Sequence, residues 1–425
     1  MRVLVLAPAL ACIFAAGVQA QDTTELLNRM KAMEDRIKSL EAEVQSLKGQ
    51  PPAAPPVAAA VPAVQPPAPA AAPTLGGLGP AAAKVLNPDI SVIGDFVGAA
   101  GNPMNRPTPS LEMHETELGL QEVIDPYARA DVFLSFGEKG VELEEGYLTF
   151  TALPKGLQLK VGKMRAAFGK VNTLHNHVLP WVDRPLVTQD LVGGEEGISD
   201  AGLSLSRILP APKGIFLEGT AQLFRGDSDN LFVATRRSQV STVEHLRAYA
   251  DLTDSTNLDL GGSFARGNSP FGDGWNQVYG IDATLRWKPL QRAIYKSFVA
   301  RSELIWGRTV QGYGFGIPRQ VITPFGFYVS SEYQFGRRWF VGGRFDRSQR
   351  GACLPTSPNT IPSCDTFQPG LVQDTGGAAT LTYWPSEFTQ LRFEARRNHY
   401  GEGFTANEVL FQLIFSMGAH GAHPF

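Results

Sequence analysis

From about Leu86 to the end of the chain, apolar and polar side chains alternate with a period of two. In residues 278–287, Tyr, Ile, Ala, Leu and Trp occupy the odd positions, while Gly, Asp, Thr and Arg occupy most of the even ones. The same rhythm recurs in 128–136, 215–223 and 408–417. Alternation of this kind predicts β-strands with one apolar face and one polar face, which is typical of a barrel with lipid outside and water inside.

The spacing of these segments predicts about 16 strands. Short turn-like connections such as 125–126 and 154–156 take every second place, and long ones such as 165–200 and 225–242 lie between them. This layout predicts an all-β, transmembrane antiparallel β-barrel over 86–425, with the short turns and both chain ends on the periplasmic side. The aromatic residues near strand ends, expected at the membrane interfaces, are Trp287, Trp306, Trp339, Tyr383 and Trp384. The predicted strands are 90–98, 111–124, 127–136, 142–153, 157–164, 200–208, 214–225, 243–253, 256–267, 277–288, 295–307, 323–335, 337–348, 374–384, 388–399 and 407–417.

Residues 1–20 are expected to be an export signal. Arg2 provides the positive start, residues 3–16 the apolar stretch, and Val18 to Ala20 a cleavage site with small residues. A membrane anchor is the alternative, but the stretch is shorter than the roughly 20 residues that span a bilayer as a helix. Export to the outer membrane of a Gram-negative bacterium is therefore expected.

Residues 21–50 are predicted to form a periplasmic coiled coil, because apolar residues recur at alternating steps of four and three. Opposite charges five residues apart, as in Arg36 and Glu41, favour a coiled coil whose helices are parallel and in register. The segment between these two residues resembles a short trimer-specifying motif, so a homotrimer is predicted; a dimer and a lone amphipathic helix are the alternatives. Residues 51–85 are rich in Pro and Ala and are predicted to be a semi-stiff linker.

Net charge and cysteine content limit the partners and the cross-links that the protein is expected to have. The net charge of −3 is close to neutral and does not indicate a nucleic-acid partner. Of the three cysteines, Cys12 lies in the predicted signal, which leaves Cys353 and Cys364 as an even pair in an exported protein. This pairing favours a disulfide, and a metal pair is the alternative.

The connection 165–200 is the third external loop in chain order, and its flanks carry a family likeness. The stretch Leu159 to Gly169, LKVGKMRAAFG, resembles the strand-end pattern VGQFKxPFG of the phosphate-selective porin O and P family. Val182 to Val187, VDRPLV, resembles that family's xxDRPLV segment. Signal, coiled coil, spacer and 16-strand barrel also follow the same order of parts.

The resemblance implies a trimeric passive channel with basic residues at a constriction formed by the third loop. Such charges would select ions electrostatically, although inward-facing carboxylates on the same strands provide an alternative, in which the arginines pair across strands. The candidate constriction residues are Lys163, Arg165, Lys170, His175, His177 and Arg184. The candidate pore-wall residues are Arg129, Arg247, Arg286, Arg301, Arg344, Arg392 and Arg396.

His175 and His177 flank Asn176 in this loop and place two imidazoles close together. Two histidines without a third ligand indicate zinc only weakly, so a buried loop network is expected and neither a metal nor another cofactor is predicted. The sequence shows no nucleophile–base spacing, P-loop or paired carboxylates, and no enzyme is predicted.

The leading prediction is an outer-membrane porin for passive diffusion of small polar or anionic solutes, in contact with lipid. One alternative is a TonB-dependent-type receptor for a metal or small ligand, which would need about 22 strands and a plug. Another is an envelope tether, in which the barrel anchors a coiled coil that reaches towards peptidoglycan.

Overall fold

The computed structural model describes residues 88–102, 109–138, 140–228, 231–271, 274–311, 320–354 and 368–418, together with Lys31 and Lys38. The chain divides into two compact units, Met1–Leu75 and Gly76–Phe425. Both described residues of the first unit are helical. The predicted export signal and linker, and the rest of the predicted coiled coil, lie outside the described residues. Among the described residues, no helix is long and apolar enough to cross a membrane.

The second unit is built almost entirely from antiparallel strands joined to their neighbours in chain order. Within its described residues there is one α-helix, α1 (Leu186–Leu191). The strands are β1 (Asp89–Asn102), β2 (Leu111–Asp125), β3 (Ala128–Gly137), β4 (Gly140–Phe150), β5 (Leu157–Arg165), β6 (Ser199–Leu209), β7 (Ile215–Phe224), β8 (Ser241–Thr253), β9 (Thr256–Asn268), β10 (Trp275–Trp287), β11 (Ser297–Gln311), β12 (Gln320–Ile322), β13 (Phe325–Gly336), β14 (Trp339–Leu354), β15 (Gln368–Ser386), β16 (Thr389–His399) and β17 (Thr405–Gly418).

The sheet closes on itself because β1 pairs with both β2 and β17. The short strand β12 pairs only with the end of β11, whereas the body of β11 pairs directly with β13. Leaving β12 aside, the remaining 16 of the 17 strands form a closed antiparallel barrel. Closure leaves no unpaired sheet edge, as a strand-built membrane protein requires.

The alternation of side chains sorts residues between the two surfaces of the barrel. Ile281 of β10 and Leu304 of β11 are paired neighbours, and their side chains are 50% and 39% exposed on the outside. One position further along, Asp282 and Glu303 are also paired, and both are almost fully buried on the inside. The period-two pattern therefore separates an apolar outer surface from a polar lumen.

The prediction of about 16 strands forming an all-β barrel is confirmed, and every predicted strand has its counterpart. The differences lie at the ends of long hairpins: β14 runs on to Leu354 and β15 begins at Gln368, so the connection between them is shorter than predicted. Cys353 lies in β14 opposite Pro369, but Cys364 and the predicted disulfide lie outside the described residues. Trp384 was expected at a membrane interface; instead it faces the lumen and lines a recess there.

Candidate functional site

The connection between β5 and β6, residues 166–198, lies inside the barrel, and we refer to it as the lumen loop. Near its start, the Gly169 N–H donates to Ser263 Oγ on β9 at 2.9 Å. Further along, the Val182 N–H donates to Glu394 Oε2 on β16 at 2.8 Å. Because these strands belong to separate parts of the wall, the loop crosses the lumen.

An apolar cluster holds the lumen loop against the wall. Phe168 and Trp181 of the loop pack with Ile305 and Tyr328, which point inward from β11 and β13. The Trp181 and Tyr328 rings meet edge to face with centroids 5.2 Å apart. Burial of these apolar side chains favours a loop packed against the wall over a loop exposed to water. The loop therefore has a core of its own inside the barrel.

The Glu303 carboxylate on β11 binds the first turn of the lumen loop. Its Oε1 accepts the backbone N–H groups of Lys170 at 3.1 Å and Val171 at 2.8 Å, and the Tyr328 hydroxyl at 3.2 Å. Strand β11 thus satisfies loop donors that would otherwise be buried without an acceptor.

Three of the candidate pore-wall arginines hold the loop. Arg344 and Arg396 pair with the two oxygens of Asp183 at 2.6 and 2.7 Å. The Arg392 guanidinium donates to the Leu179 and Trp181 carbonyls at 2.8 and 3.2 Å. Arg344 and Arg392 are nearly fully buried, and the Arg396 side chain is 8% exposed. These three arginines therefore anchor the loop, and Arg392 and Arg396 also line recesses of the lumen.

Arg184 and Arg165, expected at the constriction, are also structural. Arg184 is 2% exposed and donates within the loop to the Val171 carbonyl at 2.9 Å and the Leu174 carbonyl at 2.6 Å. Burial lowers the pKa of Arg184 to about 10. Arg165 is buried as well and donates to the Glu196 carbonyl at 2.8 Å. Both guanidinium groups are therefore held by carbonyl groups of the lumen loop, and Arg184 also lines a recess of the lumen.

Lys163 and Arg129 lie away from the lumen loop. Lys163 shares the outward side of β5 with the exposed Val161, and its ammonium donates to the Leu143 carbonyl at 2.6 Å. Arg129 pairs with Asp131, two residues further along the same strand, at 2.7 Å. The prediction that Lys163 belongs to the constriction is wrong, because the strand's alternation turns its side chain away from the lumen.

The lumen contains two recesses of opposite charge. The basic recess, about 320 Å³, is bounded by wall residues near the short turns and by the side of the lumen loop that faces them. The acidic recess, about 750 Å³, is bounded by residues near the long loops and by the other side of the lumen loop. The charged residues of the basic recess are Lys170, Arg247, Arg286, Arg301, Arg392, Asp259, Glu332 and Glu387. Those of the acidic recess are Glu112, Glu115, Glu138, Glu142, Glu144, Asp183, Glu195, Glu196, Arg184 and Arg396.

Five of the predicted cations line the basic recess, one of them the loop anchor Arg392. Lys170 and Arg247 pair with Asp259 at 3.0 and 2.8 Å, and Arg286 approaches the same carboxylate at 3.8 Å. Arg301 lines the same recess, and among the described residues no carboxylate lies within 4.0 Å of its guanidinium. One buried carboxylate therefore faces several cations, which leaves positive charge available to a ligand.

The two loop histidines meet carboxylates from the wall. His175 Nδ1 contacts Glu117 at 2.5 Å and its Nε2 contacts Glu145 at 2.8 Å, while His177 Nδ1 contacts Glu115 at 3.1 Å. Burial by itself would lower the pKa of His175, but hydrogen bonds to glutamates raise it well above the ordinary value; the pKa of His177 is raised for the same reason. The predicted buried loop network is present.

The sequence did not reveal which carboxylates complete this network. Glu115 and Glu117 sit two apart on β2, a spacing that places both on one face. On β4 the register shifts opposite Phe133 and Leu134, and this bulge turns the consecutive Glu144 and Glu145 both inward. The spacing of Glu115 and Glu117 could have predicted two inward carboxylates. The bulge that turns Glu144 and Glu145 inward could not be predicted from the sequence.

Comparison with known proteins agrees with the fold. No protein-family model matches the chain. A protein of Aquifex aeolicus described as uncharacterized is 26% identical over 405 residues, covering 81% of each chain. Among solved structures, Pseudomonas putida OprB covers 80% of this chain and 97% of its own, with a TM-score of 0.53 and 9% identity.

Two further solved structures are similar at the same level. The outer membrane channel DcaP of Acinetobacter baumannii covers 78% of this chain and 96% of its own, with a TM-score of 0.50 and 12% identity. The trimer form of the Vibrio cholerae outer membrane protein OmpT covers 78% and 99%, with a TM-score of 0.50 and 8% identity. The chain therefore has the 16-strand fold of outer-membrane porins.

Proposed function

We propose that the protein is a passive diffusion channel of a Gram-negative outer membrane for small polar or anionic solutes. The observation that carries the proposal is the lumen loop, which crosses a closed barrel and leaves charged recesses on its two sides. The porin fold supports a channel rather than an enzyme. The 16-strand barrel speaks against a TonB-dependent-type receptor, which has about 22 strands.

The basic recess supports anionic groups as part of the solute. Arginine presents a planar fork that binds carboxylate or phosphate through two hydrogen bonds, whereas lysine acts as a point charge. Arg286 is only loosely paired with Asp259, and Arg301 has no carboxylate within ion-pair distance among the described residues. We therefore assign the solute-contacting role to Arg286 and Arg301, with Lys170 and Arg247 raising the local potential.

The acidic recess limits this preference. Its carboxylates outnumber its arginines and favour cations at the other side of the loop. A permeating solute therefore passes a region of positive potential in one recess and a region of negative potential in the other. Phosphate selectivity, implied by the resemblance to the porin O and P family, is therefore not part of the proposal.

We propose that the channel is a homotrimer whose N-terminal coiled coil lies in the periplasm. The heptad pattern of 21–50 supports self-association, and OmpT of similar fold is known in a trimer form. Deleting 23–82 tests both this assembly and the tether alternative. A deletion protein that conducts normally but no longer holds the envelope to peptidoglycan would assign tethering to that segment.

Planar-bilayer recording with the purified protein tests the channel. Stepwise conductance is expected, and its absence would overturn the proposal. Under a salt gradient, Arg301→Ala is expected to shift the reversal potential towards cation preference, because a cation is removed from the basic recess. Arg207→Ala is the matched control, since Arg207 lies on the exposed side of β6 with Leu203 and Leu205. An equal shift in both variants would exclude Arg301 as part of the filter.

A further inference from the structure

Ligand atoms of the two loop histidines and one wall glutamate lie close together in the lumen. His175 Nδ1 lies 2.5 Å from Glu117 Oε2, and His177 Nδ1 lies 3.8 Å from the same oxygen. One ligand atom each from Glu117, His175 and His177 all lie within 4.8 Å of one another. Two nitrogens of the lumen loop and one carboxylate of β2 thus face a shared centre.

Glu144 is a buried carboxylate that borders this centre. Its side chain is 4% exposed, and its Oε2 lies 2.9 Å from His175 Nδ1 in an ion pair that lacks hydrogen-bond geometry. An ion bound at this nitrogen would therefore have a second buried carboxylate oxygen beside it.

We propose that His175, His177 and Glu117 bind a divalent transition metal ion of the zinc class, with Glu144 as a further carboxylate beside His175. Imidazole nitrogen with carboxylate oxygen is a donor set that suits zinc and its neighbours, whereas calcium and magnesium take oxygen alone. Ligands at about 2.0–2.2 Å from a tetrahedral ion lie roughly 3.4 Å apart. The Glu117 oxygen lies 2.5 and 3.8 Å from the two histidine nitrogens, and all three donors lie within 4.8 Å of one another, so an ion between them requires side-chain adjustments of about 1 Å.

A neighbouring carboxylate orients the proposed ligand His175, as is usual for histidines that bind metals. The other ring nitrogen of His175 faces Glu145 Oε2 at 2.8 Å, so its N–H has a carboxylate acceptor when Nδ1 binds the ion. Glu145 is itself held, because its Oε1 accepts the backbone N–H of Arg165 at 2.7 Å. A carboxylate behind a ligating histidine fixes its tautomer and ring orientation.

The acidic recess provides the access route. Glu112, Glu142, Glu195 and Glu196 line this recess together with Glu144, and concentrated negative charge raises the local concentration of cations. A bound ion would tie the lumen loop to β2 and β4, whereas Asp183 ties it to β14 and β16. The site is independent of which solute passes the channel.

Zinc binding to the purified full-length protein tests the proposal. Every protein measured carries Ala in place of His420 and His423, so that the chain's terminal histidines contribute nothing. After dialysis against EDTA, calorimetric titration with ZnCl2 is expected to show one saturable site per chain. His177→Gln and Glu117→Gln are each expected to weaken binding by at least tenfold. Absence of saturable uptake by the parent protein would overturn the proposal.

His114→Gln is the matched control. His114 lines the same acidic recess and lies on β2 with Glu117, but its imidazole faces Asp95 at 3.6 Å and is not part of the ligand group. Zinc affinity is expected to be unchanged in this variant. Equal affinity in His177→Gln and the parent protein would assign the histidine–glutamate cluster to a metal-free ion-pair network instead.

Zinc-edge X-ray absorption of the loaded parent protein keeps the test independent of how well any variant folds. The proposal expects two imidazole nitrogens and carboxylate oxygens at about 2.0–2.2 Å. A first shell of oxygen alone, as for an ion held loosely by the surrounding glutamates, would overturn it.

Discussion

Asp183 of the lumen loop and Arg344 of β14 form an ion pair of 2.6 Å although 161 positions separate them in sequence. Arg396 of β16 binds the second carboxylate oxygen at 2.7 Å. The Arg344 guanidinium also lies over the Trp181 ring, 5.0 Å from its centroid. One carboxylate therefore connects two strands to the middle of the loop. It shares the compensation of the two arginines with Asp346 and Glu408 of the wall.

Asp183→Asn is expected to destabilise the protein by about 1.5–3 kcal/mol, because the loop loses charge-assisted hydrogen bonds, while Asp346 and Glu408 still pair with the two arginines. Tryptophan fluorescence during urea unfolding in detergent measures the change, and noisier single-channel current is expected as the loop loosens. Asp254→Asn, in the exposed turn between β8 and β9, is the control and is expected to stay within about 0.5 kcal/mol of the parent. Similar losses in the two variants would contradict an anchoring role for Asp183.

The Asp183 anchor also has a defined dependence on pH. Burial by itself raises the pKa of Asp183, but Arg344 and Arg396 outweigh it and hold the pKa at about 2, below the ordinary value of 3.8. A lowered folded pKa means that the stabilisation is complete above the unfolded pKa and is lost as pH falls through the folded one. The difference in Tm between the parent and Asp183→Asn is expected to be constant above about pH 5 and to shrink towards pH 2.

A difference in Tm that instead disappeared between pH 5 and 8 would contradict this account. It would indicate that a histidine of the loop, and not Asp183, controls the attachment.

The barrel was predictable from the sequence because its signal is local and repeated. Each strand carries its own alternation, as in the Ile281 and Asp282 pair, and the turn-like residues between strands set the register. The strand β12 was not predicted, since three residues are too few to show a period. The apolar outer face follows from the pattern alone, because lipid and water impose the same rule on every strand.

The site was predictable only in part. Loop residues such as Lys170 and His177 stood out by their chemistry, but the partners that decide their roles come from distant strands. Arg301 and Arg344 have the same inward parity in sequence; the first lines a recess and the second holds Asp183. The path of the lumen loop makes this difference, and no single strand encodes that path. The apolar content of 166–198, including Phe168 and Trp181, was the available sign that the loop packs inside.

Gly169 is expected to be required for seating the lumen loop. Its φ is +58°, and a Cβ there would lie 2.2 Å from Glu303 Oε2, the carboxylate that binds the next two backbone N–H groups. Gly194→Ala is the matched control, because Gly194 has a φ of +79° with nothing within 4 Å of an added Cβ. The control is expected to cost about 1–2 kcal/mol from the left-handed backbone alone, and Gly169→Ala distinctly more. Urea unfolding compares them, and equal losses would show that Glu303 yields freely.

The membrane-facing surface predicts a depth-dependent response to charge. Ile281 and Ile90 are 50% and 51% exposed on the outer surface, but Ile281 lies at the middle of β10 and Ile90 is the second residue of β1. Arginine near the bilayer midplane costs about 2–4 kcal/mol in a barrel and about 0–1 kcal/mol near the interface, where the guanidinium reaches water. Ile281→Arg is therefore expected to lower the unfolding free energy in lipid vesicles by that larger amount, and Ile90→Arg to change it little. Since exposure and residue type are matched, only depth in hydrocarbon distinguishes the two sites. Equal effects would mean that this surface does not face lipid, and the assignment of lumen and exterior would fail with it.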